Sequence, residues 1–395
     1  MTGKIIRAKP RYIKQDYFRK IDEENLVDEN ELFFNLGRAG LKLLLLSYSK
    51  YLNREITVGM QSFNCRVVAD AAIESNCKIL LFDIKLNDFS ISIDSLKRCK
   101  VKIDVLLLTH YQGIPNEQYE QIAKFCRETD ILLIDDISQT ENSKINNIEA
   151  GSLGDFAIKS FAFDKPFSTL EGGSIIINNS VSNELKEILL NEYNIVPLQN
   201  RKKTKNDLKI LKFLLEYSEP EFYHNGLNNV PALRLYSQFL RLKTIYRFSF
   251  FVKLNSYIRE LLKRKNQNKP IRISKLRKDK ISLLMLQRFN KIENVNIDQL
   301  VKISIKLGLK PISNINSKIY WNRYSIIDKN NILKNYLNSK NIEAGNYNWP
   351  VPLHLLFSEN KRFIIKGDYS NSEFCSQNIL NIPIWRELKF NDNEL

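Results

Sequence analysis

A chain of 395 residues with 43% hydrophobic residues and a net charge of +16 is long enough for a large domain and a smaller one, each with a core. No apolar run approaches the ~20 residues that cross a bilayer, and Met1-Thr2-Gly3-Lys4-Ile5-Ile6-Arg7 lacks the apolar stretch of a secretory signal. Five cysteines without Cys-x-x-Cys spacing and three histidines far apart in sequence argue against a disulfide frame and a metal site, so a cytoplasmic protein with reduced thiols is expected.

Along the chain, Gly37-Arg38-Ala39-Gly40-Leu41 precedes the apolar run Leu43-Leu44-Leu45. Small residues at a helix start expose backbone N–H groups, and the helix dipole favours an anion there. Ile56-Thr57-Val58 comes before a helix-like run at 66–75, and Ile79-Leu80-Leu81-Phe82 and residues 105–108 read as further strands. In the stretch 117–127, Tyr119, Ile122 and Phe125 recur at helical spacing. Ile131-Leu132-Leu133-Ile134-Asp135 is a short apolar segment expected as a buried parallel strand. Strands are also expected at 156–161 and 174–177. The alternation implies an α/β protein with a mostly parallel sheet, in which Asp136 stands at the carboxyl end of a strand, where ligands of such sheets bind.

Charge is concentrated in one region. Between Arg201 and Lys280 there are 21 Lys and Arg against 6 Asp and Glu, so this stretch nearly accounts for the whole net charge. It also carries Leu235, Tyr236, Phe239, Tyr246, Phe248, Phe250 and Phe251 among its basic residues. Three readings stand side by side: a solvated helical subdomain packed on the core or on a partner subunit, a basic amphipathic surface for anionic lipid, and an aid in holding a nucleotide diphosphate. No nucleic-acid motif accompanies the charge, and nucleic acid is not expected as a partner.

Ser160-Phe161-Ala162-Phe163-Asp164-Lys165-Pro166, followed by Glu171-Gly172-Gly173, places one lysine downstream of the Asp135-Asp136-Ile137-Ser138-Gln139 segment. Pyridoxal phosphate chemistry needs a lysine that forms the Schiff base and moves a proton, a carboxylate beside the ring nitrogen, and a phosphate cradle. Lys165, Asp136 and the segment 37–40 with the Ser160 hydroxyl are the candidates. Taken singly each is a weak signal, but their order along the chain is informative.

From residue 31 to residue 385 the chain resembles the DegT/DnrJ/StrS family of sugar aminotransferases. Residues 35–41 resemble its phosphate loop, and Gln61-Ser62-Phe63-Asn64 resembles the segment whose aromatic ring lies on the cofactor face, which would be Phe63. Phe82-Asp83-Ile84 is similar to a strand end after the first crossover, and Leu108-Thr109-His110-Tyr111-Gln112-Gly113 to a strand ending in His-x-x-Gly. Asp136 and Gln139 match the partners of the ring nitrogen and ring hydroxyl, and Ser160 and Lys165 complete the series. Pro350-Val351-Pro352-Leu353-His354 resembles the substrate-side loop, which makes His354 a substrate-binding candidate.

The resemblance implies a homodimeric, fold-type-I enzyme that moves an amino group, typically from glutamate, to a nucleotide-linked keto-sugar. It implies a large cofactor-binding domain at 1–200, the basic insertion at 201–270 and a small C-terminal domain at 271–395. The cofactor-binding residues would be Gly37, Arg38, Ala39, Phe63, Asp136, Gln139, Ser160 and Lys165. Three departures stand out. Pro270 occupies the place of an asparagine that reaches the neighbouring subunit's phosphate, in an element of which only Arg272-Ile273-Ser274 remains. Gly40 stands where alanine is usual. Lys165 is where related dehydratases carry histidine, which favours amino transfer. A non-catalytic relative serving as a partner in envelope polysaccharide synthesis is the alternative, with the basic insertion as its working surface.

Overall fold

The computed structural model describes residues 30–205, 270–272 and 297–384, apart from 163–164, 166–168, 170, 201, 203, 313–316, 341, 343, 347–348 and 383. Most of the basic stretch, and Ile273-Ser274 beside it, therefore lie outside the described residues.

Strand β1 (Glu31–Phe34) leads into helix α1 (Gly37–Leu52). The predicted alternation follows: β2 (Thr57–Gln61), α2 (Arg66–Glu74), β3 (Lys78–Phe82), α3 (Ile93–Arg98), β4 (Val105–Thr109), α4 (Tyr119–Glu128) and β5 (Leu132–Asp136). A short hairpin, β6 (Lys144–Ile145) and β7 (Ile148–Glu149), precedes β8 (Phe156–Ser160), β9 (Gly173–Ile177) and α5 (Asn183–Ile195). The C-terminal part contains α6 (Ile297–Lys306), β10 (Ser317–Lys318), β11 (Tyr324–Ile327), α7 (Ile332–Ser339), α8 (Leu353–Leu356), β12 (Phe363–Ile364), α9 (Ser370–Asn378) and β13 (Ile379–Ile382).

The main sheet has the order β1-β9-β8-β5-β4-β2-β3-β12. Six neighbouring strands, β8 to β12 in that order, run parallel, while β9 is antiparallel to both β8 and β1. The expected mostly parallel sheet is present because its strands are apolar on both faces, as strands covered on two sides must be. Every residue of β4 is buried, with Val105 and Leu107 in the core beneath α1 and α2, and Leu106 and Leu108 in the core beneath α4. Among the described residues no helix is long and apolar enough to cross a membrane.

A third apolar cluster joins the two parts of the chain. It packs Phe63, Phe89, Tyr111 and Ile114, all from loops beyond the sheet, against Trp321, Tyr324, Trp349 and Leu380 of the C-terminal part. The chain leaves and returns at one place beside the sheet: Gln199 N–H donates to Arg272 O at 2.7 Å and Arg272 N–H to Pro197 O at 2.9 Å. Ile271 in turn is bonded to Asn35 in both directions, its O accepting at 2.8 Å and its N–H donating to Asn35 Oδ1 at 3.2 Å.

Asp83, just past β3, caps the C-terminal helix α9 across 289 residues. Its Oδ1 accepts from Ser372 N–H at 2.8 Å and Oγ at 2.6 Å, and its Oδ2 from Asn371 N–H at 3.0 Å. These satisfy donors that the first turn of a helix leaves without partners. Asp83→Ala is expected to lower stability by about 1–2 kcal/mol. Urea unfolding measures this, and an unchanged midpoint would rule out the capping role.

Candidate functional site

A cavity of about 310 Å³ opens at the carboxyl ends of β4, β5 and β8, within the size range of small-molecule pockets. Gly37, Arg38, Asp136, Gln139, Ser160 and Lys165 all stand in its wall. Residues spread over 129 positions of sequence therefore meet because their strands are neighbours: Thr109 pairs with Asp136, and Asp136 with Ile158 two residues before Ser160.

Strand alternation separates the roles of two adjacent carboxylates. Asp135 and Asp136 point to opposite faces of the sheet. Asp135 is fully buried beneath α4: its Oδ2 accepts from Tyr119 OH at 2.5 Å and from Gly154 N–H at 3.0 Å, and its Oδ1 lies 3.2 Å from His110 Nε2. Asn116 N–H donates to His110 Nδ1 at 3.1 Å, so the ring proton sits on Nε2 and is given to Asp135. Both ring nitrogens of His110 are thus engaged, and the histidine contributes to the cavity wall as a positioned ring. Asp136 instead faces the cavity, where the Ser138 N–H, 3.0 Å from its Oδ1, orients the carboxylate. Gln139 is held by its Oε1, which accepts from Gln112 N–H at 3.3 Å.

Two lysines flank Ser160, and only one faces the cavity. Lys159 projects to the other side of β8, where its ammonium lies 3.2 Å from Glu141 and 3.5 Å from Glu31. Burial works against that charge, but the two carboxylates outweigh it and hold the lysine pKa well above its ordinary value. Such an amine stays protonated and cannot act as a nucleophile. Lys165 lies beyond the strand end, in the cavity wall, with its backbone N–H bonded to Ala162 O at 3.0 Å.

The N-terminus of α1 forms the anion-suited end. Leu36 is its N-cap, with no side-chain cap bond, and no acidic residue stands in the first turn. This leaves a positive helix end at the cavity beside the Ser160 hydroxyl. Glycine is required for the approach: a Cβ on Gly37 would sit 2.7 Å from Lys159 O, and one on Gly173 would sit 2.2 Å from Gly37 N. Gly37→Ala is expected to cost about 1–3 kcal/mol of stability by overpacking. It should also weaken binding of a phosphate ligand, as thermal melting and phosphate titration would show; unchanged phosphate affinity would move the anion site elsewhere.

Three predicted site residues lie outside the wall. Phe63 is fully buried in the third apolar cluster, because the loop after β2 turns its ring toward the C-terminal part, and Cys65 lines the cavity in its stead. Ala39 is buried within the packing of α1, its N–H bonded to Leu36 O at 3.1 Å. His354 is stacked on Tyr369 at 4.4 Å and lies between Ser62 Oγ, 2.7 Å from Nδ1, and Glu373 Oε1, 3.0 Å from Nε2. These bonds make it a brace between the loop after β2 and helices α8 and α9. Conversely, Cys65, Thr109, Ser138 and Trp349 line the cavity without having been singled out. For Ser138 the signal was available, since it lies between Asp136 and Gln139; for Trp349 nothing local to the sequence pointed to the cavity.

Comparison with known proteins identifies the family and the fold. Residues 28–309 match the sequence model of the DegT/DnrJ/EryC1/StrS aminotransferase family. Over 140 residues the chain is 31% identical to UDP-4-amino-4,6-dideoxy-N-acetyl-beta-L-altrosamine transaminase of Campylobacter jejuni, covering 34% of this chain and 37% of that protein's length. The fold is similar to that of an aminotransferase from Psychrobacter cryohalolentis, with a TM-score of 0.62 at 12% identity over 92% of this chain and 84% of the other. It is also similar to E. coli GDP-4-keto-6-deoxy-D-mannose-3-dehydratase with bound hydrated PLP, with a TM-score of 0.55 at 15% identity over 90% and 83%.

Proposed function

The chain belongs to the DegT/DnrJ/EryC1/StrS aminotransferase family, whose enzymes depend on pyridoxal 5'-phosphate, and we propose that it transfers an amino group from an amino acid, L-glutamate in the first instance, to a nucleotide-linked keto-sugar. The observation that carries this reading is the meeting of Lys165, Asp136, Gln139, Ser160 and the α1 N-terminus in one cavity, while the neighbouring Lys159 and Asp135 are tied up elsewhere.

The residues present suit the cofactor. A helix end without a side-chain cap, a backbone approach that only glycine allows, and the Ser160 hydroxyl provide for its phosphate. Asp136 would stand at the ring nitrogen and hold a proton there, with Gln139 toward the ring hydroxyl. When bound, the cofactor supplies an electron sink for the carbanion at the substrate carbon. Lys165 would take the proton from that carbon and return it. It stands in the cavity wall beyond the end of β8, in a turn closed by its own N–H on Ala162 O. Lysine here, in place of the histidine of the related dehydratases, favours amino transfer over dehydration.

The same reading includes a homodimer in the cytoplasm, with product entering surface polysaccharide or antigen synthesis, and the division into 1–200, an insertion at 201–270 and 271–395. The hydrogen-bonded meeting of residues 197–199 with 270–272 supports the insertion. Contact of that insertion with the inner face of a membrane belongs to the reading as well. The alternative, a relative that has kept the fold for binding alone, draws on Pro270 in the asparagine's place and on Phe63 outside the cavity wall.

The test is the visible absorption spectrum of the purified protein with added pyridoxal phosphate, before and after L-glutamate. A band that glutamate removes supports the first half of the reaction. A protein that takes up no cofactor supports the binding-only alternative.

A further inference from the structure

We infer that Trp349 is the aromatic residue that covers the cofactor ring in this protein, and that Phe63 acts only through it. The inference rests on the cofactor proposed above. Among the described residues of the cavity wall, Trp349 is the one Phe, Tyr or Trp. From the loop after β2 the wall takes the small side chain of Cys65, which offers no plane for a flat ring to pack on.

The indole is held in place by rings from two other loops. Phe63 meets it edge-on, with centroids 5.1 Å apart and planes at 76°, and Tyr111 lies 4.9 Å away at 56°. These are the offset and perpendicular arrangements that aromatic pairs prefer. The backbone fixes the same contact: Leu353 N–H donates to Ser62 O at 2.8 Å, and His354 joins Ser62 Oγ at 2.7 Å, which laces the loop carrying Phe63 to the one carrying Trp349. Phe63 and Tyr111 are completely buried, whereas Trp349 reaches the cavity. A planar pyridine ring in that cavity therefore meets an indole supplied by the C-terminal part, backed by a second layer of rings from the sheet side. One consequence is that cofactor retention depends on the seating of the C-terminal part.

The experiment titrates pyridoxal phosphate into the full-length protein and reads both the visible band and tryptophan emission. Trp349→Leu removes the plane and keeps apolar bulk; it is expected to weaken the apparent Kd about tenfold, and Phe63→Leu to weaken it less. Trp349→Phe, made together with Trp385→Phe so that Trp321 is the remaining tryptophan, keeps a ring; it should retain the band and lose most of the quenching of emission on binding, since Trp321 is packed away against Tyr324 in the C-terminal core. Thermal melts establish that each variant is folded. Wild-type affinity in a folded Trp349→Leu protein overturns the inference and leaves the proposed function standing. Should Trp349→Leu fail to fold, full quenching in that double variant overturns it. A wild-type protein that binds no cofactor overturns both readings together.

Discussion

Lys165→Ala is expected to abolish the visible band of a lysine-linked cofactor and to reduce amino transfer by about 10³-fold or more, the scale at which a positioned proton-transfer group contributes. The fold should survive, because the side chain stands in a cavity wall beyond the end of β8. The informative control is the lysine six residues earlier. Lys159→Met would leave Glu31 and Glu141 facing each other in a largely buried site, which should cost about 3–5 kcal/mol of stability. It should nevertheless retain the cofactor band at temperatures where the protein remains folded. Spectra and melting curves of the two variants separate the roles. A band retained in Lys165→Ala and lost in folded Lys159→Met would reverse the assignment.

The second large effect contrasts the adjacent carboxylates with one substitution. Asp136→Asn keeps the shape of a cavity-lining side chain and removes its charge, so turnover should fall on the order of 10²–10³-fold with little change in melting temperature. Asp135→Asn should do the opposite. Its two oxygens accept from Tyr119, Gly154 N–H and His110 Nε2, so either orientation of an amide sets its NH₂ against a donor in a dry site. The expected loss is about 3 kcal/mol. Urea unfolding and half-reaction kinetics on both variants measure this. A stable, slow Asp135→Asn and an unstable Asp136→Asn would mean that the strand faces are the other way round.

Much of this site was legible beforehand because it is built from strand ends. The apolar runs that become β4, β5 and β8 mark where the sheet stops, and the residue after each run is a candidate for the cavity mouth. Choosing Asp136 over Asp135 needed only the end of that run and its resemblance to known enzymes. Boundaries moved by one or two residues: the expected strand ending at Asp135 includes Asp136, and the helix expected from 117 begins at Tyr119. Strand β12 was not legible at all, since two residues carry no periodicity, and Phe363 and Ile364 join the sheet edge only because β3 offers Ile79 and Leu80.

Phe63 and His354 mark the boundary of what sequence can decide. Both were expected at the cofactor or substrate because of the segments they stand in, yet the direction of a side chain in a loop depends on what packs against it. For Phe63 that is Tyr111 and Trp349, 48 and 286 positions away; for His354 it is Ser62 and Tyr369. Asp83 is a similar case, since a helix cap supplied from 289 residues away has no local signature.

The amino-acid sequence by itself determined the parallel α/β architecture, the lysine and carboxylate that face the cavity, and the glycines at the head of α1, because each follows from periodicity, chain order or backbone sterics within a few residues. Only the tertiary structure decided which rings and imidazoles reach the cavity and which support it, because those orientations are set by packing between loops that the chain brings together from opposite ends.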